Sequence, residues 1–281
     1  MIDTHVHVVS PNLPGAGSLA GVLRAPPEIV GSAIRREMKE AGVSAAFAMG
    51  EWDAGPDDPL GIAKTLRIAN VVPGLRAIGV ADPVKGGDPD HLRRVEAALK
   101  EHAGRVVALK GYLGYLHYGP DHANYRRYYE LAEHFKIPVV FHTGDTYSPY
   151  AKLKYAHPLG VDEVAVDHPR TNFVLAHVGN PWTVDAAEVI YKNLNVWADL
   201  SGIVVGDGTE FENEEYADGI ADAADRIRKA FRYCERPNRF LFGTDWPLIP
   251  LAAYRDWIAD VIPSAHHDQV FEENARVLFR V

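Results

Sequence analysis

The feature that most constrains how this chain folds is a repeat of short apolar runs, each followed by a segment of helical spacing. Eight runs of β type succeed one another at residues 2–9, 43–49, 75–81, 106–110, 137–142, 173–177, 196–200 and 240–243. Most are rich in Val, Ile, Leu, Phe and Ala without clean polar alternation, the pattern of strands covered on both faces. Between them, residues 29–41 carry Ile34, Met38 and Ala41 on one helical face, and 92–102 carry Leu92, Val95 and Leu99. Segments 125–135, 185–193, 220–234 and 252–261 behave in the same way, and Gly42 and Gly104 supply stop signals after the first two helices. Strand and helix alternate about every 35 residues in a chain of 281, the length of a βα unit. The longest irregular pieces, 11–27, 50–60, 111–124, 143–160 and 201–216, all follow a strand, where a parallel barrel keeps its functional loops. The expectation is an α/β fold, a single (β/α)8 TIM barrel domain over residues 1–281 with its chemistry at the C-terminal strand ends. A doubly wound open sheet is the rival.

Composition narrows the function classes. With 29 Lys and Arg against 38 Asp and Glu, the formal charge is −9. That balance argues against a nucleic-acid partner, which needs a positive footprint to release counterions, and against basic attachment to an anionic membrane. A lone cysteine, Cys234, excludes an internal disulfide and any multi-cysteine metal site. No signal-peptide pattern and no membrane span is visible, so a cytoplasmic enzyme or binding protein acting on a small molecule is expected, with a homo-oligomer compatible.

Thirteen histidines are the unusual count. His5 and His7 stand two apart, so on a strand both imidazoles point to one face and make half of a tetrahedral metal site. Alone the pair is weak, because about half a His-x-His is expected by chance at this histidine content. The case strengthens because ionisable residues recur where later apolar runs stop: Lys110, His142, His177 and Asp245. In a parallel barrel all of these meet at one mouth, and burying them singly would be costly without a shared purpose.

Asp3-Thr4-His5-Val6-His7, Lys110 after the fourth run, His142 after the fifth, His177 after the sixth and Gly243-Thr244-Asp245-Trp246-Pro247 after the eighth resemble the amidohydrolase superfamily. The form is most similar to its amidohydrolase-2 branch of metal-dependent hydrolases and decarboxylases. The resemblance runs from Asp3 to Asn274, where residues 272–279 resemble the branch's closing helix. It implies a divalent metal, zinc by preference, held by His5, His7, His142 and Asp245, with His177 beside it or ligating a second ion. Lys110 matches the position at which binuclear relatives carry a carboxylated lysine and others a free, substrate-binding one; one ion is the commoner arrangement. Zinc with such ligands brings a bound water's pKa to about 7, and Asp245, His177 and Lys110 are the implied catalytic groups. Asp3 and Asp145 are candidates for supporting contacts.

Many aromatics follow the strands, and Tyr112 and Trp182 are the expected substrate contacts. No arginine sits at a strand end, so a substrate carboxylate would lean on Lys110, the metal, or a loop residue such as Arg24. The leading expectation is a metal-dependent hydrolase of a C–O or C–N bond in a small organic acid, lactone or amide. A decarboxylase or hydratase on the same ligands is the runner-up, and a non-catalytic metal-binding protein the third reading.

Overall fold

Strand side chains alternate between two surroundings, and that alternation builds the site. The computed structural model describes residues 1–281. Eight parallel strands pair in chain order: β1 (Ile2–Val6), β2 (Ala45–Met49), β3 (Leu75–Val80), β4 (Val106–Gly111), β5 (Val139–Phe141), β6 (Phe173–Leu175), β7 (Val196–Asp199) and β8 (Phe240–Leu241). The sheet curls into a nearly closed (β/α)8 barrel. Its seam is drawn together where Thr4 N–H donates to Phe242 O at 2.9 Å and Asp245 N–H to His5 O at 2.8 Å.

Successive strand residues face opposite sides. Phe47 and Met49 of β2, Ile78, Ala108, Val140, Val174, Trp197 and Leu241 form one apolar plug inside the barrel. Ala46, Ala48, Ala77, Leu109, Val139, Phe141, Phe173 and Leu175 face outward against the helices, which explains why the runs show no polar alternation. The plug is completed by Ala275, Leu278 and Phe279 of the closing helix, whose Phe279 ring lies 4.7 Å from that of Phe47. Asn274 Nδ2 fastens this helix to Pro237 O and Phe240 O at the start of β8, opposite the histidines.

Eight α-helices lie between the strands: α1 (Pro27–Ala41), α2 (Ala63–Ala69), α3 (Pro89–Glu101), α4 (Ala123–Phe135), α5 (Leu153–Ala156), α6 (Leu159–Asp167), α7 (Thr183–Lys192) and α8 (Ala217–Cys234); α9 (Leu251–Val261) follows β8 and α10 (Asn274–Phe279) closes the chain. α1 begins on Pro27 and stops at Gly42, which takes the left-handed φ of 70° that ends a helix without strain. The Asp88 carboxylate caps α3 by accepting from Asp90 N–H. Helices α2 and α6 were not legible as such, since each spans only about two turns and shows little periodicity. No helix is long and apolar enough to cross a membrane.

Several strands are shorter than their apolar runs. β1, β5, β6 and β8 stop at Val6, Phe141, Leu175 and Leu241, so His7, His142, His177 and Asp245 lie just beyond the ladder. Period two decides where they point. Lys110 follows Ala108 by two, His142 follows Val140, and Asp199 follows Trp197, so each stands one layer above the plug on the lumenal side.

Candidate metal centre

Four imidazoles and one carboxylate converge at the C-terminal mouth. His5 and His177 have ring centroids 4.8 Å apart, His142 and His177 5.0 Å, and His5 and His7 5.7 Å. Asp245 Oδ1 lies 3.2 Å from His7 Nε2 and 3.5 Å from His5 Nε2. The tightest potential ligand group is His5, His177 and Asp245, with donor atoms within 4.8 Å of one another. The sequence placed His5, His7, His142 and Asp245 in the ligand set, with His177 beside them or on a second ion; the geometry brings His177 into the tightest group, with His142 adjoining it and His7 adjoining His5.

The backbone around these groups is strained and held. His177 has φ 60° and Asp245 φ 68°, left-handed values that cost about 1–3 kcal/mol each in a non-glycine residue. The His177 N–H donates to Asp199 Oδ1 at 3.0 Å and the Asp245 N–H to His5 O, so the surrounding hydrogen bonds impose the turn. Gly202 makes room: a Cβ there would lie 2.9 Å from His177 Nδ1 and 3.0 Å from Asp245 Oδ2. Asp3 staples β1 to the segment that follows β8. Its Oδ1 accepts from the N–H groups of His5 and Thr244 at 3.0 and 3.2 Å, and its Oδ2 from Thr244 Oγ1 at 2.7 Å. Burial raises the Asp3 carboxyl to about 7 against the pull of these donors.

Hydrogen bonds set the tautomers. His5 Nδ1 donates to Asp199 Oδ2 at 3.0 Å, which leaves Nε2 as the lone pair. His177 Nδ1 donates to Ser201 O at 3.1 Å, again leaving Nε2, and His142 Nε2 donates to Asp145 O at 2.8 Å, leaving Nδ1. The three imidazoles are therefore each tied on one nitrogen and free on the other. Burial, with the Lys110 charge second, lowers His5 to about 4, and burial with His177 and Lys110 holds His142 well below the usual histidine range. Deprotonated imidazole is the form that ligates metal.

The acids respond in the opposite sense. Burial works against charge on Asp199 and Asp245, yet the adjacent histidines hold both carboxyls well below the usual carboxylate range, His5 foremost. Asp199 was missed in the sequence. It also accepts from Ser201 N–H at 3.1 Å and Ser201 Oγ at 2.5 Å, linking His5, His177 and the β7 turn. Its signal was the same as for the others, an acid where the apolar run 196–200 ends. Lys110 is 1% exposed and its Nζ has no hydrogen-bond partner; burial lowers it to about 8, against the pull of Asp199 and Asp245. His5 Nε2, His7 Nδ1 and Asp245 Oδ1 are likewise buried and unpartnered. Unsatisfied buried donors and acceptors in one cluster signal a missing ion or ligand, and the N and O donors present suit a borderline divalent metal.

A cavity of about 230 Å³ opens above the cluster. Tyr112 lines it, but its hydroxyl is spent on Gly50 O at 2.7 Å, so it offers only its ring, 5.5 Å from Lys110 Nζ. Trp182 does not line it; its ring packs 4.8 Å from that of His157. Arg24 is turned away, its Nε donating to Ser18 Oγ at 2.8 Å. Tyr115 and Tyr147 do line it, joined by a 2.9 Å hydrogen bond from Tyr147 N–H to the Tyr115 hydroxyl.

Barrel, ligand cluster and lysine together define a metal-dependent enzyme of the TIM-barrel class. The chain belongs to the amidohydrolase family, whose model matches residues 2–281. That family is metal-dependent, and its members are enzymes. Among solved structures the chain is similar to a probable 2-pyrone-4,6-dicarboxylic acid hydrolase from Acinetobacter baumannii with citric acid bound, at TM-score 0.68 and 15% identity over 100% of this chain and 99% of that one. A 2,6-dihydroxybenzoate decarboxylase from Rhizobium aligns at TM-score 0.66 and 16% identity, covering 99% and 98%. A 4-oxalomesaconate hydratase from Rhodopseudomonas palustris aligns at TM-score 0.62 and 14% identity, covering 100% and 95%. No protein of curated function matches the chain by sequence.

Proposed function

We propose that the chain is a zinc-dependent hydrolase that cleaves a C–O or C–N bond in a small organic acid, lactone or amide. One ion would be held among His5, His7, His142, His177 and Asp245. The observation that carries the reading is the set of tied imidazoles: His5 and His177 each donate from Nδ1 and His142 from Nε2, so each keeps one lone pair for the cluster around Asp245.

A divalent ion held there supplies Lewis acidity, bringing a ligated water's pKa to about 7. The protein's own groups do the rest. Asp245 stays ionised beside the histidines, so Oδ1 accepts the proton of the attacking water and returns it to the leaving group. With Nδ1 tied to Ser201 O, His177 would offer Nε2 as a ligand or as a hydrogen-bond acceptor for that water. Lys110, the one fixed cation lining the cavity, attracts the anionic group of the substrate. The apolar plug below and the aromatic and aliphatic walls above restrict bulk water.

A lyase reading is favoured by one observation, the unpartnered Lys110 Nζ beside a ring-lined cavity, which would suit decarboxylation of an aromatic acid. Release of carbon dioxide separates the two. A panel of lactones, amides and phenolic acids incubated with zinc-loaded protein should give hydrolysis products without carbon dioxide. Carbon dioxide evolution without hydrolysis would replace the first reading by the second.

A further inference from the structure

The central cavity has two unlike ends, and this polarity bears on what it binds; the inference rests on the metal-centre reading above. At the floor stand the histidines, Asp245 and Lys110, the one fixed cation among the lining residues. Toward the rim the walls carry no positive charge. Leu13, Leu19, Ile203 and Leu248 form an aliphatic side. Half-buried Asn180 also lines the cavity, and its Oδ1 accepts from Arg226 Nε at 2.9 Å. The amide hydrogens on Nδ2 are thereby left for the cavity, and the Arg226 guanidinium is retained behind the amide instead of lining the space itself. Near the rim stands an acid side chain: Asp145 is exposed and its Oδ1 accepts only the Thr146 N–H at 2.8 Å.

We propose that the site selects small mono-anionic acids, with the anionic group at the floor beside Lys110 and the metal cluster, an uncharged far end against Asn180 and the aliphatic wall, and rejection of acids bearing a second, distal carboxylate. The volume of about 230 Å³ corresponds to about eight water molecules at ~30 Å³ each, enough for a single substituted ring. A neutral carbonyl, amide or hydroxyl at the far end finds donors in Asn180 Nδ2 and the Tyr147 hydroxyl. A distal carboxylate loses water against Leu13 and Leu19, meets no cation and faces Asp145. Partner choice by an unpaired, repelled charge is discrimination against the wrong ligand as much as attraction to the right one.

The test uses two probes of the same shape and non-hydrogen atom count that differ by one charge, 4-carbamoylbenzoate and terephthalate, titrated calorimetrically into the zinc-loaded protein at pH 7. The amide should bind about tenfold or more tightly, equivalent to ~1.4 kcal/mol. Asp145→Asn removes the like charge and keeps the backbone carbonyl that holds His142, so the gap should narrow. Val205→Arg, which places a cation on an exposed position of the lining, should raise terephthalate affinity and close or invert the gap. Terephthalate binding as tightly as the amide, binding of neither probe, or an unchanged gap in both variants overturns the proposal. Zinc content measured on the same sample keeps the two claims apart. A folded protein that takes up no zinc refutes the metal-centre reading and the selectivity with it, whereas a zinc-loaded protein that prefers terephthalate refutes the selectivity alone.

Discussion

Asp199→Asn is the most informative single substitution, because Asp199 touches no substrate and yet governs two of the imidazoles. Its Oδ1 accepts from the His177 N–H at 3.0 Å, the Ser201 N–H at 3.1 Å and Ser201 Oγ at 2.5 Å, while its Oδ2 accepts from His5 Nδ1 at 3.0 Å. Asparagine has one acceptor oxygen. Three donors claim it on the Oδ1 side, so the amide nitrogen falls opposite His5 Nδ1 and now donates to it. His5 must then carry its proton on Nε2, the atom that faces Asp245 at 3.5 Å. Metal entry has to reverse that tautomer and break the new hydrogen bond. Loss of such a carboxylate–histidine contact typically weakens metal binding about 10–100-fold, or ~1.4–2.7 kcal/mol. Competition with a chromophoric chelator at fixed pH measures zinc affinity, and circular dichroism checks the fold. Parent-like affinity in a folded Asp199→Asn variant would refute the tautomer argument, and with it the reason given for His5 being a ligand.

The remaining expectations are narrower. Gly202→Ala puts a Cβ against His177 and Asp245 at a left-handed φ of 62°, so zinc affinity and turnover should fall while the circular dichroism spectrum is kept; parent-like zinc binding would contradict the close approach. Phe279→Ala removes part of the plug at the far end, which should destabilise the protein by about 3–5 kcal/mol in urea unfolding and leave metal stoichiometry unchanged. Burial pushes the Cys234 thiol up to about 11, so the thiolate fraction at pH 8.5 is small; iodoacetamide should label the native protein far more slowly than the urea-unfolded one, with the native rate still rising above pH 9. Equal labelling rates in the two states would show that the thiol is not enclosed.

Much of this was written in the sequence, for a physical reason. Apolar runs spaced one βα unit apart allow few architectures, and the residues that break them, Lys110, His142, His177 and Asp245, stand out because burying an ionisable group is costly. Asp199 carried the same mark, but no sequence rule distinguishes a supporting acid from a strand-end turn residue. Tautomers were illegible, since they depend on partners such as Ser201 and Asp145 brought in by the fold. The place of His177 beside His5 and Asp245 has a similar origin: it stands on left-handed backbone, a turn that period-two counting cannot anticipate. Tyr112 and Trp182 lie close in sequence to Lys110 and His177, whereas a hydrogen bond to Gly50 and packing on His157 decide what each ring presents. Short helices such as α2 and α6 leave too few residues to establish a period.

The central claim is that the histidines and Asp245 form one metal centre. Its most direct test is elemental analysis of the purified protein beside a His5→Ala, His7→Ala double variant, each checked for fold by circular dichroism. The account predicts one equivalent of divalent ion per chain in the parent and none in the folded double variant. A folded parent without metal, or a double variant that retains the ion, would contradict it.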